Sequence, residues 1–140
     1  MRLMVAALML SHTAAQSAVT ARLTISVEGV RNADGVVGVL VFSSPQGWPD
    51  SVDGAIRAKA VPARSPIATL AIEDIPLGAY AVVVLHDENE NKKLDRDFVG
   101  RPREGWGMSN NPKARASAPS FGRARFLLRR DTHLRIRLNY

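Results

Sequence analysis

The 140-residue chain contains no cysteine. It therefore forms no disulfide bond, carries no thiol nucleophile and offers no cysteine for lipid attachment. It also lacks an apolar run near the roughly 20 residues that a transmembrane helix needs, so we expect that the protein does not span a membrane. The G-x-S-x-G and HExxH patterns of common hydrolases are absent as well. Without disulfide bonds, the fold depends on the packing of side chains. The sequence also contains neither of these two catalytic motifs.

The N-terminus has the order of a secretory signal peptide. A charged start at Arg2 precedes an apolar run from Leu3 to Leu10, and small and polar residues follow. We predict that residues 1–17 are a cleaved signal peptide and that the mature protein is periplasmic or secreted. The alternative is an amphipathic or buried first helix.

Removing the leader leaves about 120 residues, which is the size of one domain. Apolar residues make up 46% of the chain, enough for one core without cross-links. We therefore predict a single domain over residues 21–140.

Apolar and polar residues alternate along several short segments, as they do in half-buried strands. No long helical pattern interrupts them. These observations predict an all-β fold, a single antiparallel β-sandwich of the immunoglobulin-like or transthyretin-like kind. The predicted strands cover residues 21–30, 36–42, 67–72, 79–85, 120–128 and 133–138.

Asp34-Gly35 lies between the first two predicted strands and is typical of a β-hairpin turn. Residues 43–66 contain four prolines and two glycines, and we predict a long connection between the sheets, with room for a short helix at 51–60. Trp48 is expected to pin this connection to the core.

An acidic loop follows the strand at 79–85. Oxygen-bearing side chains occupy its first, third, fifth and ninth positions, which overlaps half of a calcium-binding loop. Lys92 stands at the sixth position, where glycine is usual, and Phe98 at the twelfth, where glutamate is usual. The loop is therefore either a calcium site or a charged turn that Asn and Asp stabilise by bonding their own backbone. The candidate calcium ligands are Asp87, Asn89, Asn91, Asp95 and Asp97.

His86 lies beside Asp87, but neighbouring residues on a strand point to opposite faces. We therefore interpret His86 as making an orienting hydrogen bond at the end of its strand. A hydrolase that uses His86 with an acidic partner, or with Ser109, remains an alternative hypothesis.

A second unusual segment surrounds Trp106, which has a glycine on each side. We expect the glycines to let the backbone turn tightly so that Trp106 folds over the end of the sandwich as a lid. A stacking platform for a ligand is the alternative. The residues assigned to a ligand-binding or structural loop are His86, Gly105, Trp106, Gly107, Ser109, Asn110 and Asn111.

The formal charge of +6 is unevenly distributed. Residues 101–140 contain ten Lys and Arg residues against Glu104 and Asp131. Such a surface attracts anionic partners, and in an exported protein lipid headgroups or acidic polysaccharides are expected rather than nucleic acid. The interpretation we favour is a solvated strand face, because the arginines alternate with apolar residues.

Three ordered motifs, HDENENKKLD, GRPREGWGMSNN and APSFGRARF, resemble the bacterial exported family called domain of unknown function 2141. The resemblance covers Leu23 to the C-terminus. It implies an exported β-sandwich, similar to transthyretin-like or carboxypeptidase-regulatory-like modules, with the acidic loop and the aromatic-glycine loop as hallmarks. The family often has glycine where this chain has Glu90 and Lys92.

The sequence thus predicts a non-enzymatic, exported β-sandwich that binds a partner or has a structural role at the cell envelope. An envelope protein, a polysaccharide or a lipid headgroup is the expected partner class. Two alternatives stay open: a calcium-stabilised module that uses the acidic loop at residues 87–97, and a hydrolase that uses His86. No cofactor other than calcium is suggested by the residues.

Overall fold

The computed structural model describes residues 16–113 and 117–140 of the chain. Most of the predicted signal peptide therefore lies outside the described residues. The described chain is built from β-strands, with one 3₁₀ turn at Val52–Gly54 and one short helix, α1, at Phe121–Ala124. The strands are β1 (Thr20–Glu28), β2 (Val36–Phe42), β3 (Arg57–Pro62), β4 (Ile67–Pro76), β5 (Gly78–Asp87), β6 (Trp106–Met108), β7 (Phe126–Leu128) and β8 (Thr132–Arg137).

The strands form two sheets that pack together, which confirms the predicted all-β sandwich. The first sheet has the order β4-β1-β8. The second has the order β3-β2-β5-β6, and β7 also pairs with β5. Neighbouring strands are antiparallel except β1 and β8, which run parallel.

Alternating side chains of both sheets fill the space between them. In β1, Leu23, Ile25 and Val27 are fully buried, and they belong to the same apolar cluster as Val37 and Val39 of β2. The strand period of two places every second residue on this inner face. Burial of these branched side chains supplies the main stabilisation of a domain that has no cross-links.

A second apolar cluster lies apart from the main core. Met108 of β6 is buried in it, and Trp48, Trp106 and Phe121 pack against it. The indole Nε1 of Trp48 donates to the backbone oxygen of Pro119 at 2.9 Å. These contacts confirm that Trp48 pins the long connection to the fold.

The predicted β-hairpin between the first two strands is wrong. β1 pairs with β4 and β8, whereas β2 pairs with β3 and β5, so the two strands belong to different sheets. Gly35 does adopt the left-handed backbone expected of it, with φ +66°. Gly35 lies at a corner where the chain passes from one sheet to the other, and not in a hairpin. A turn residue specifies the local shape of the backbone but not which strands pair.

Two other local predictions need correction. The expected helix at 51–60 is reduced to the 3₁₀ turn, and residues Arg57–Pro62 form β3, which pairs with β2. Residues 120–128 are not one strand: Ser120 accepts a hydrogen bond from the backbone N–H of Arg123 and starts α1. Serine is favoured at the capping position just before a helix, because its side chain satisfies such an otherwise unbonded amide.

The last strand follows its predicted alternation. Ile136 is buried, whereas Arg135 and Arg137 are exposed. The guanidinium of Arg135 lies 3.8 Å from Glu28 of the neighbouring β1, so this part of the basic surface is an exposed strand face. Among the described residues, no helix has the length and apolar content needed to cross a membrane.

Candidate functional site

His86, near the end of β5, is fully buried and bonded through both ring nitrogens. Its Nε2 lies 2.8 Å from the backbone oxygen of Asp34 and its Nδ1 lies 2.9 Å from the hydroxyl of Tyr140. A carbonyl oxygen only accepts hydrogen bonds, so Nε2 donates. The Tyr140 hydroxyl accepts the backbone N–H of Arg31 and can donate to Nδ1. His86 thus joins the end of β5 to the β1–β2 corner and to the C-terminus.

Tyr140, the last residue, closes this side of the site. The guanidinium of Arg31 lies 4.4 Å from the centre of its ring, within the range of a cation–π contact. Burial raises the pKa of Tyr140, which the hydrogen bond and charge of Arg31 partly oppose. The phenol therefore stays neutral at physiological pH and keeps its hydrogen for His86.

Asp87 folds the acidic loop around its own carboxylate. The side chain is 3% exposed and accepts the backbone N–H groups of Asn91 at 3.2 Å and Lys92 at 2.7 Å. The backbone of this turn is left-handed at Glu90, with φ +57°, and at Lys92, with φ +63°. The tight turn thus forms here without glycine.

Asp95 draws the other oxygen-bearing side chains of the loop together. Its carboxylate accepts the side-chain amide of Asn89 at 2.6 Å and that of Asn91 at 2.8 Å. The amide oxygens of the two asparagines in turn accept backbone N–H groups two residues further along the loop. Four of the five candidate calcium ligands therefore lie in one hydrogen-bonded cluster.

Asp97 does not join that cluster. Its carboxylate accepts the backbone N–H groups of Val99 and Arg101 and pairs with the side chain of Arg101 at 2.9 Å. Within residues 16–113 and 117–140, no three His, Asp or Glu side chains are grouped as a metal site. Any cation in the acidic loop would therefore depend on amide and backbone oxygens beside the carboxylates of Asp87 and Asp95.

Glu104 is a site residue that the sequence interpretation missed. It is only 4% exposed, and its two carboxylate oxygens accept the backbone N–H groups of Glu88 at 3.0 Å and Asp95 at 3.2 Å. It therefore braces both ends of the acidic loop from the neighbouring segment. In the sequence, Glu104 is one of the few acidic residues of the basic C-terminal segment. Its position directly before Gly105 is the one signal that points to it.

An open, charged depression of about 440 Å³ lies over this network. Glu88 on its rim pairs with Arg31 at 2.5 Å and accepts the side-chain amide of Asn32 at 3.0 Å. Burial alone would raise the pKa of Glu88, but the hydrogen bonds from Asn32 and Arg31 outweigh it and lower the pKa below its ordinary value. The depression is lined by Arg31, Glu88, Asn89, Asp95, Arg96, Arg103 and Glu104.

Ser109 is fully buried and bonds strand backbone. Its hydroxyl accepts the N–H of Val82 at 2.9 Å and donates to the backbone oxygen of Ala124 at 2.5 Å. The side chain therefore links β5 to the end of α1. Its hydrogen is used in this link, and its hydroxyl does not contact His86.

The two asparagines that follow Ser109 tie the neighbouring segments together. The amide of Asn110 donates to the backbone oxygens of Arg123 and Arg125. Asn111 donates to the oxygen of Arg135 at 3.0 Å and accepts the N–H of Arg137 at 2.8 Å. Its amide thus takes the place of a further strand along the edge of β8, which is a structural role.

The glycines around Trp106 serve close packing and not tight turning. Neither has a positive φ. A Cβ on Gly105 would lie 2.6 Å from the ring of Tyr140, and one on Gly107 would lie 2.6 Å from the backbone oxygen of Arg137. Trp106 itself is half-buried in β6 and packs on the second apolar cluster. The predicted tight turn around Trp106 is therefore wrong.

A model of a bacterial protein family, described as an uncharacterized protein conserved in bacteria (DUF2141), matches residues 25–136. No curated protein and no solved structure matches the chain. The matched range contains the acidic loop, Glu104 and the Ser109–Asn111 segment, so the family resemblance read from the three motifs is confirmed.

Proposed function

We propose that this protein, which belongs to the uncharacterised bacterial family DUF2141, is a non-catalytic binding or structural module of the bacterial cell envelope. One observation carries the proposal. The buried polar side chains of the family motifs, His86, Asp87, Glu104 and Ser109, are each at most 4% exposed and each bonds backbone atoms. A catalytic acid, base or nucleophile has to face its substrate. These side chains instead hold loops in place.

The exposed parts of the same loops are the surface we assign to a partner. The depression beside Glu88 brings charges of both signs together on a braced framework. Rigid loops that present polar groups lose little entropy on binding. The leader-like N-terminus supports an envelope location for that partner.

Cell fractionation tests the envelope location. The full chain is expressed in a Gram-negative bacterium and detected with an antibody, so that Tyr140 stays the last residue. We expect a shortened protein in the envelope fraction, because the leader directs export and is then removed. The variant Leu8→Arg places a charge in the apolar run and should remain full-length in the cytosol. Full-length wild-type protein in the cytosol would contradict the proposal.

Calcium binding by the acidic loop is the second candidate. The observation in its favour is the left-handed backbone at Lys92, the loop position where calcium-binding loops use glycine. Asp87 and Asp95 lie on either side of that turn, and Asn89 and Asn91 bond to Asp95. The residues present thus supply the oxygen atoms that a hard cation prefers.

Thermal unfolding in chelator and in millimolar calcium distinguishes a metal site from a charged turn. Calcium at about a hundred times its Kd would stabilise the fold by about 2.7 kcal/mol, and the melting temperature would rise by several degrees. Asp95→Asn should abolish the rise, whereas Glu90→Gln, an exposed neighbour, should keep it. An equal melting temperature with and without calcium, or an equal response to magnesium, would rule out this candidate.

A further inference from the structure

The chain forms a hydrogen-bonded turn that begins at the end of the acidic loop and leads to Glu104. The backbone N–H of Arg103 donates to the oxygen of Asp95 at 2.7 Å, and that of Asp97 donates to Arg101 at 2.9 Å. Gly100 has φ +85° and its N–H returns to the oxygen of Asp97. We call residues 95–103 the 95–103 turn. Its closing bonds come from its own backbone and from the Asp97 carboxylate.

The tip of the 95–103 turn is apolar. Phe98 is 99% exposed and the adjacent Val99 is 58% exposed. A scattered exposed apolar residue is ordinary. Here two such side chains are consecutive, at the end of a turn whose backbone is hydrogen-bonded on both sides. Neither is among the residues of the two apolar clusters, so their exposure is not offset by packing.

Exposed basic side chains flank this tip along the chain. They are Lys92, Lys93, Arg96, Arg101 and Arg103. The same stretch, residues 92–103, contains two acidic side chains, Asp95 and Asp97. Five positive charges against two negative ones give the stretch that carries Phe98 a formal charge of +3.

We propose that the 95–103 turn docks on an anionic phospholipid surface, with Phe98 and Val99 inserted among the lipids and the basic side chains against the headgroups. Aromatic and aliphatic side chains gain free energy on entering the acyl boundary. Lysine and arginine beside them pair with anionic headgroups, and their long stems reach back to the interface. The inference rests on the proposed function, because export brings the protein to an envelope membrane.

This chemistry favours a lipid surface over a polysaccharide. Sugar recognition places hydrogen-bonding groups beside an aromatic face. Beside Phe98, Val99 is aliphatic, and the carboxylate of Asp97 is already bonded to the backbone of Val99 and Arg101 and to the side chain of Arg101. A protein partner would also fit an apolar tip, and the experiment below distinguishes it from lipid.

Vesicle flotation tests the inference with purified protein whose N-terminus is verified by mass spectrometry in every sample. One set of vesicles contains phosphatidylglycerol and phosphatidylcholine, and the other contains phosphatidylcholine alone. We expect flotation with the anionic vesicles only, and weaker flotation at high salt because screening shortens the reach of the charges. Phe98→Ser should reduce the bound fraction about tenfold, with an unchanged melting temperature because the side chain is fully exposed.

Two matched variants serve as controls. Val52→Ser removes an apolar side chain that is 59% exposed elsewhere on the surface, and it should float like the wild type. The double variant Arg129→Gln/Arg130→Gln removes two exposed charges between β7 and β8 and should also float.

Three results would overturn the inference. They are no flotation of the wild type, equal flotation of Phe98→Ser, and loss of flotation in Arg129→Gln/Arg130→Gln alone, which would assign binding to the C-terminal arginines. Self-association that Phe98→Ser abolishes, without flotation, would identify the tip as a protein contact. Cell fractionation and assays of substrate turnover test the proposed function separately. If the protein is exported and turns over no substrate, the proposed function stands even where the lipid inference fails. Cytosolic protein, or substrate turnover, would contradict the proposed function itself.

Discussion

Gly35→Ala is expected to lower the free energy of unfolding by about 3 kcal/mol or more. Gly35 has φ +66°, and a Cβ there would lie 2.0 Å from the backbone oxygen of Asp87 and 2.7 Å from that of Glu88. Neither atom belongs to a flexible side chain, so the start of the acidic loop would have to move. The left-handed backbone adds a strain that alanine does not relieve.

Gly38→Ala is the matched control for Gly35→Ala, since it makes the same chemical change within β2. No atom lies within 4 Å of a Cβ at Gly38, so we expect no loss of stability, or a gain below about 1 kcal/mol. Chemical denaturation of both variants measures the difference. Equal changes in unfolding free energy for the two variants would contradict the close approach of the acidic loop to Gly35.

Glu104→Ala is expected to cost about 2 kcal/mol, because two partly buried backbone N–H groups lose their acceptor. These are the amides of Glu88 and Asp95. Their hydrogen exchange should also become faster, since both would be exposed to solvent in a loosened loop. Glu104→Gln retains one carbonyl oxygen and should show an intermediate loss.

Glu90→Ala is the matched control, because it also removes a carboxylate from this region but at an exposed position of the same loop. We expect its unfolding free energy to lie within about 0.5 kcal/mol of the wild type. A Glu104→Ala variant as stable as Glu90→Ala would show that the brace seen in the structure does not hold the loop.

The strands were predictable because side-chain alternation reports which residues face the core. Leu23, Ile25 and Val27 face the core as their spacing requires. Which strand lies next to which is a long-range property that alternation does not encode. The parallel pairing of β1 with β8 and the corner at Gly35 therefore could not be read from local patterns.

The candidate site was predictable where its chemistry is local. Asp87, Asn89 and Asn91 bond backbone within their own loop, and the spacing of such side chains predicts that behaviour. Glu104 reaches the acidic loop from a later segment, so only the fold brings it there. The glycines flanking Trp106 were expected in a tight turn, but their reason lies in neighbours more than 20 residues away, at the C-terminus.

The central claim is that the buried polar residues of the motifs hold the loops and perform no chemistry. A panel of chromogenic ester, peptide and glycoside substrates, assayed with wild-type protein and with His86→Gln, tests this most directly. We predict no turnover above the buffer rate for either protein. Turnover by the wild type that disappears in His86→Gln, while circular dichroism shows an intact fold, would contradict the claim and establish His86 as a catalytic residue.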